Sequence, residues 1–159
     1  MKLVYVDNRY ISYLQQFDHR VLQNKSRRPY IGPVLTVNNH SYFAPFETSK
    51  PGKRVNNRLT FTIRKSPSSN SPILSFLLIN DMIPVSTRNY IPIDMDHLKS
   101  LSPKKFDLLI KEQNFVRSNR QLILQKALSV YHKRLSSKVP FFNQMCLDFR
   151  LLEHKYLDF

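Results

Sequence analysis

Ile31-Gly-Pro-Val-Leu-Thr-Val-Asn-Asn-His-Ser-Tyr-Phe-Ala-Pro-Phe46 holds two β-like runs around an asparagine pair. Ile31 to Val37 and Tyr42 to Phe46 are rich in branched and aromatic side chains. Asn38-Asn39-His40 between them predicts a hairpin turn, because asparagine tolerates positive φ. Upstream, Leu3 to Val6 reads as a strand, and Asn8 to Phe17 as a short helix with Tyr10, Ile11, Leu14 and Phe17 at helical spacing. Downstream, Leu59 to Arg64 alternates, with Leu59, Phe61 and Ile63 expected inward and Thr60, Thr62 and Arg64 outward. Ser66-Pro-Ser-Ser-Asn-Ser-Pro72 is a loop, and Ile73 to Ile79 is apolar enough for a buried central strand. Met82 to Val85 and Tyr90 to Ile93 are short strand candidates broken by Pro84 and Pro92.

The pattern changes after Asp94. Ser102-Pro103 is an N-cap and first-turn pairing, and Phe106, Leu109, Ile110, Phe115, Leu122, Leu124, Leu128 and Tyr131 predict one or two helices between Lys104 and Lys133, broken near Asn114. Asp148 to Tyr156 predicts a further short helix with Leu151, Leu152 and Tyr156 on its buried side. Strands first and helices after exclude a βαβ arrangement and predict a β-barrel with helical additions. With no internal repeat or linker, residues 1–159 read as one α+β domain, whose 42% hydrophobic content suffices for a core.

Charge is the strongest functional signal. The chain carries 25 Lys and Arg against 11 Asp and Glu, a formal charge of +14. Between Arg20 and Lys65, the basic residues Arg20, Lys25, Arg27, Arg28, Lys50, Lys53, Arg54, Arg58, Arg64 and Lys65 face a single acid, Glu47. Such an excess opposes compaction and is the footprint of a polyanion partner, nucleic acid before an anionic membrane. No segment approaches the roughly 20 apolar residues that span a bilayer, and no amphipathic basic helix with a long apolar face is evident. The five histidines lack metal-ligand spacing, so neither a metal nor another cofactor is expected. The lone Cys146 reads as a small core residue, and with no export signal it points to a reducing cytoplasm.

Several segments together carry a resemblance. Arg9-Tyr-Ile-Ser-Tyr-Leu-Gln-Gln-Phe-Asp18, Arg28-Pro-Tyr-Ile-Gly32, Tyr42-Phe-Ala-Pro45, Asn80-Asp-Met-Ile-Pro-Val85 and Leu151-Leu-Glu-His-Lys-Tyr-Leu-Asp-Phe159 follow one another in an order and spacing that span nearly all of the chain. In these the chain resembles the type III toxin–antitoxin endoribonucleases of the ToxN/AbiQ family. The resemblance implies an SH3-like small antiparallel β-barrel of the MazF and Kid kind, surrounded by helices. It implies a bacterial enzyme that cleaves cellular or phage RNA without a metal. It also implies inhibition by a small repeated pseudoknot RNA antitoxin, a closed toxin–RNA assembly, and a role in toxin–antitoxin maintenance or phage abortive infection.

The chemistry of RNA fits. RNA supplies its own nucleophile, the 2′-hydroxyl, so a ribonuclease needs in-line placement, proton transfer and positive charge on the pentavalent phosphate. The loop Ala44-Pro-Phe-Glu-Thr-Ser-Lys-Pro51 departs from the family's hydroxyl-pair pattern in one of two registers, leaving Thr48 or Ser49 as the family hydroxyl and Lys50 as the family lysine. Lys50 then neutralises developing charge or donates a proton, Thr48 and Ser49 hydrogen-bond phosphate oxygens, and Arg28 grips a phosphate bidentately. Products would carry 2′,3′-cyclic phosphate and 5′-hydroxyl ends. Arg27, Lys53, Arg54 and Arg58 extend the RNA-binding surface, Tyr30 reads as a base-stacking or a core aromatic, and Arg117 and Arg120, with Lys126, as a helical basic face or solvated surface. Glu47 is a candidate base or a local charge partner. A reading of another class, a non-catalytic RNA- or DNA-binding module on the same barrel, uses the basic residues equally well and asks nothing of Thr48 or Ser49.

Overall fold

A computed structural model of the chain describes residues 1–25 and 27–159. The order is β1 (Lys2–Val6), α1 (Asn8–Gln15), β2 (Pro29–Val37), β3 (His40–Thr48), β4 (Thr60–Arg64), β5 (Ile73–Leu78), a 3₁₀ turn (Ile79–Asp81), β6 (Ile83–Pro84) and β7 (Tyr90–Pro92). Then come α2 (Met95–Leu101), α3 (Pro103–Ser118), α4 (Arg120–Ser136), α5 (Pro140–Met145) and α6 (Phe149–Tyr156). The β2–β3 hairpin is the frame. Asn38 and Asn39 both take positive φ, 49° and 62°, as a right-twisted hairpin turn demands.

Every strand pairing is antiparallel, in the order β4-β5-β3-β2-β1-β7, with β6 on the free edge of β3. Strand β3 serves both halves: Tyr42 and Phe43 lie opposite Pro84 and Ile83, whereas Phe46 to Thr48 lie opposite Leu77 to Ser75. Among the described residues no pairing joins β4 to β7, so the sheet is open rather than a closed barrel. Its register in β2 shifts between Ile31 and Leu35, where Gly32 is required, since a Cβ there would sit 2.5 Å from the Phe43 ring.

The helices differ from expectation in place more than in kind. The break between the two long helices falls at Asn119, because Leu109, Glu112 and Val116 continue one buried stripe past Asn114. Ser102 ends α2 and precedes α3 without a side-chain cap. Helix α2 buries no residue and so left no apolar period to read, and α5 is only a short turn opened by Pro140. In β4, Thr60 is buried, its hydroxyl donating to the Asn56 carbonyl at 3.2 Å. One apolar cluster runs from β1 to α6 and includes Cys146. No described helix is long and apolar enough to cross a membrane.

Glu112 is the one acidic group in the α3 stripe, 2% exposed, with only the Ser75 hydroxyl of β5 beside its carboxyl and, among the described residues, no cation paired with it. Burial pushes its carboxyl from 4.5 up to about 7, against a smaller pull from the Ser75 hydroxyl. Between those values the unfolded chain has lost the proton and the folded chain has kept it, so this site's stability is full below 4.5, declines as pH rises to about 7, and is flat above. Glu112→Gln removes the ionisation. It is expected to stabilise the fold by roughly 2 kcal/mol above neutrality and by little at pH 4, which denaturant unfolding at the two pH values measures.

Candidate active site

The hairpin carries the site. Strand β3 ends at Thr48 against β5, with the Ser49 N–H donating to the Leu74 carbonyl at 3.1 Å, and the chain then turns at Gly52, whose φ is 77°. A cleft of about 310 Å³ opens where this end of β3 meets the start of β2. Thr48, Lys50, Lys53, Arg28 and Arg27 line it together with Glu47, and Lys25 and Lys105 add two further cations. Six basic side chains against one carboxylate make a concave anion site with an exposed hydroxyl at its end.

Each wall is held locally. The Asn24 side chain accepts from the Arg28 backbone N–H at 2.9 Å and donates to the Val6 carbonyl at 2.8 Å and to Asn8 Oδ1 at 2.7 Å, tying the basic loop to β1. Arg28 Nη1 donates to the Phe46 carbonyl at 3.3 Å, while its buried Nε has no partner. An arginine anchored at one nitrogen keeps the rest of its fork for a phosphate. Glu47 pairs with Lys53 Nζ, so the acid serves as a local charge partner within the cleft. Behind it, Asp81 is pushed up to about 7 by burial and by the Glu47 charge, against the pull of Arg28 and Arg20.

Other expected contacts lie elsewhere. Tyr30 is completely buried, so its ring offers no face to a base; β2 is covered on both faces here, since Tyr30, Ile31 and Gly32 are all buried. Ser49 is half-buried and does not line the cleft, which leaves Thr48 as the hydroxyl that does. Arg54 is exposed on the turn outside the cleft. Arg58 lies over the rings of Phe141 and Phe142 of α5, at 4.6 and 5.2 Å. Arg117 reaches the Met1 carbonyl at 3.3 Å, and Arg120 lies beyond it. At about 1.5 Å per residue along α3, Arg117 is some 18 Å from Lys105, so neither belongs to the cleft. Lys126 donates to the carbonyls of Asn57 and Thr60, at 2.5 and 2.9 Å, and braces the loop before β4. Arg20 of the basic stretch is bound to Asp18. Among the described residues no cluster of His, Cys, Asp or Glu converges as a metal site would.

Residues 2–157 match the family model for the toxin ToxN of type III toxin–antitoxin systems. The chain belongs to that family. It is 30% identical to the endoribonuclease ToxN of Bacillus thuringiensis subsp. kurstaki, over 94% of this chain and 79% of that protein. It is 28% identical to the endoribonuclease ToxN of Pectobacterium atrosepticum, over 100% of this chain and 94% of that protein. Among solved structures, AbiQ, a lactococcal anti-phage endoribonuclease of a type III system, superposes with a TM-score of 0.86 at 29% identity, covering 98% of this chain and 95% of its own. A structure from work on selective toxin inhibition by a non-coding RNA pseudoknot gives 0.86 at 28% identity, covering 99% and 96%.

Within this ToxN-family chain, sequence reasoning named five of the cleft's cations and missed Lys105. Lys25 belongs to the basic stretch but carries no motif of its own. Lys105 arrives from the start of α3, far downstream of the hairpin, and no local motif marks it. The asparagine pair Asn8 and Asn24 was also passed over; polar residues flanking a basic loop were the available signal.

Proposed function

We propose that this protein is an endoribonuclease toxin of a type III toxin–antitoxin system, acting on single-stranded cellular or phage RNA in the cytoplasm of its bacterial host. The observation that carries the reading is the convergence of the Thr48 hydroxyl, Lys50 and the Arg28 guanidinium in one basic cleft at the end of β3. In the proposed reaction the ribose 2′-oxygen attacks the adjacent phosphorus and loses its proton. The P–O5′ bond breaks, and the leaving 5′-oxygen takes a proton. Lys50 and Arg28 neutralise the charge gathering on the non-bridging oxygens, and Thr48 donates a hydrogen bond to one of them. Ser49, exposed only on the flank, is the alternative hydroxyl if the loop shifts on binding. Lys53, Arg27, Lys25 and Lys105 hold the strand, and Arg54, Arg58, Arg117 and Arg120 are left for the more distant surface of a folded RNA.

A repeated pseudoknot RNA would neutralise the toxin by filling the same cleft, and RNA repeats bridging two protein faces would close a toxin–RNA ring. The names and structures of the relatives support this partner and a part in anti-phage defence. The finer fold reading, one toxin domain with an SH3-like core over residues 1–159, belongs to the same proposal; β3, shared between the two halves of the sheet, is what favours it.

The test is incubation of purified protein with total cellular RNA in EDTA, followed by mapping of the new ends. Discrete cuts bearing 2′,3′-cyclic phosphate and 5′-hydroxyl ends are expected. Intact RNA with tight, salt-sensitive binding would replace the enzyme by a binding module.

A further inference from the structure

A second depression, of about 230 Å³, adjoins the cleft and shares Arg27 with it. Across three strands the register sets Pro29 of β2, Tyr5 of β1 and Ile91 of β7 side by side. Directly paired residues point to the same face of a sheet, and strands lie about 4.8 Å apart. The row therefore runs about 10 Å from the cleft, where Pro29 is a wall, to a floor made by Tyr5 and Ile91. Ile91 is 59% exposed, an apolar side chain that the fold leaves uncovered at this spot. Over the Tyr5 ring stand two cations, the Arg27 guanidinium at 5.8 Å and Lys105 Nζ at 5.6 Å from its centre. Both also line the cleft, so the ring lies at the divide between the two depressions.

We infer that this depression binds a purine base of the RNA strand, one flanking the scissile phosphate, stacked on Tyr5 and Ile91. The inference rests on the nuclease reading above and adds a specificity-determining subsite to it. A part-exposed aromatic ring with a guanidinium beside it is what an unstacked base inserts against, and a phosphate held by Lys50 and Arg28 leaves the neighbouring base within reach of this floor. The rim supplies the edge contacts. Asn8 has its amide oxygen occupied by Asn24, which leaves its NH₂ to donate. Arg88 is exposed and makes no hydrogen bond or ion pair among the described residues. Asp7 is occupied by the backbone N–H and guanidinium of Arg9, at 2.7 and 3.2 Å. A rim that offers mainly donors favours an edge that presents acceptors. N7 of adenine or guanine meets that requirement, and O6 of guanine adds to it.

The test uses an RNA oligonucleotide with one site that the wild-type chain cuts. Each flanking nucleotide is replaced in turn by an abasic residue, and each flanking purine by its 7-deaza analogue. Wild type is expected to lose roughly ten- to hundredfold in kcat/KM at one position when the base is removed, and a part of that when only N7 is removed. Tyr5→Leu and Arg88→Ala are expected to cut the parent more slowly and to discriminate less at that same position. Because Arg88 is exposed and unpartnered, its variant keeps the fold and serves alone if Tyr5→Leu does not. Relative rates that are flat across the series in wild type, or the same in wild type and Arg88→Ala, would overturn the subsite and leave the nuclease intact. A wild-type chain that cuts no RNA at all would instead remove the nuclease reading on which the subsite rests.

Discussion

Replacing Lys50 with alanine is expected to slow RNA cleavage by about 10²- to 10³-fold, the usual cost of losing one preorganised donor to a developing oxyanion. Binding should change far less. Lys50 is one of six cations in the cleft, and each phosphate contact on a single strand contributes about 0.7 to the slope of log affinity against log salt. The variant should therefore still retain RNA, with that slope reduced by about one contact. Lys53→Ala is the useful comparison, because Lys53 already pairs with Glu47. Its loss frees a carboxylate in the cleft and should weaken binding as well as rate. Single-turnover cleavage of one oligonucleotide, with filter binding over a salt series, separates the two effects. Equal loss of rate and affinity in Lys50→Ala would make this lysine a strand-holding group and not a participant in the chemistry.

The strands were legible because their determinants are local. Asn38 and Asn39 specify the hairpin turn by themselves, and alternation or unbroken apolar runs mark β2, β3 and β5 without help from distant residues. Closure of the sheet was not legible, since it depends on whether β4 and β7 meet, which no local pattern sets. The break between α3 and α4 was misplaced for a related reason. Glu112 occupies a buried position in the apolar stripe, and a charged residue there interrupts the period that a reader follows.

The candidate site divides in the same way. Thr48, Lys50, Lys53, Arg27 and Arg28 come from two adjacent strand ends, so a hairpin reading already places them near one another. Tyr30 shows the limit: an aromatic beside basic residues resembles a stacking platform, but β2 is buried on both faces at this point and Tyr30 lies in the core. Tyr5 shows the converse. It sits in an apolar run that reads as a buried strand, yet its ring is half-exposed beneath Arg27 and Lys105, and only the tertiary fold brings those cations over it.

The second large effect is on stability. Asp18 is 5% exposed and accepts four hydrogen bonds, three from Arg20 at 2.8–3.1 Å and one from the Asp148 backbone N–H at 2.9 Å. Arg20 continues to the carbonyls of Asn143 and Gln144, at 3.2 and 3.1 Å, so this pair fastens the loop after α1 to the segment that opens α6. Helix α6 in turn presents Glu153 to the hydroxyls of Tyr42 in β3 and Tyr131 in α4, at 2.6 and 2.8 Å. Asp18→Ala takes the carboxylate acceptor from the Arg20 guanidinium and from the backbone N–H groups of Arg20 and Asp148, and is expected to cost about 3 kcal/mol at neutral pH. Burial alone would raise the Asp18 carboxyl, but the hydrogen bonds from Arg20 and Asp148 outweigh it and hold it below 3.8. Its contribution is thus present above pH 3.8 and is lost as pH falls through the lower folded value, so wild type and variant should converge in acid. Urea midpoints at pH 7 and pH 3 measure this. Cleavage selectivity at neutral pH should be unchanged in the folded fraction of Asp18→Ala, because the change acts on the frame behind β3 and touches neither cleft residue nor Tyr5. A shifted cleavage pattern in this variant would mean that the anchoring of α6 reaches the cleft itself.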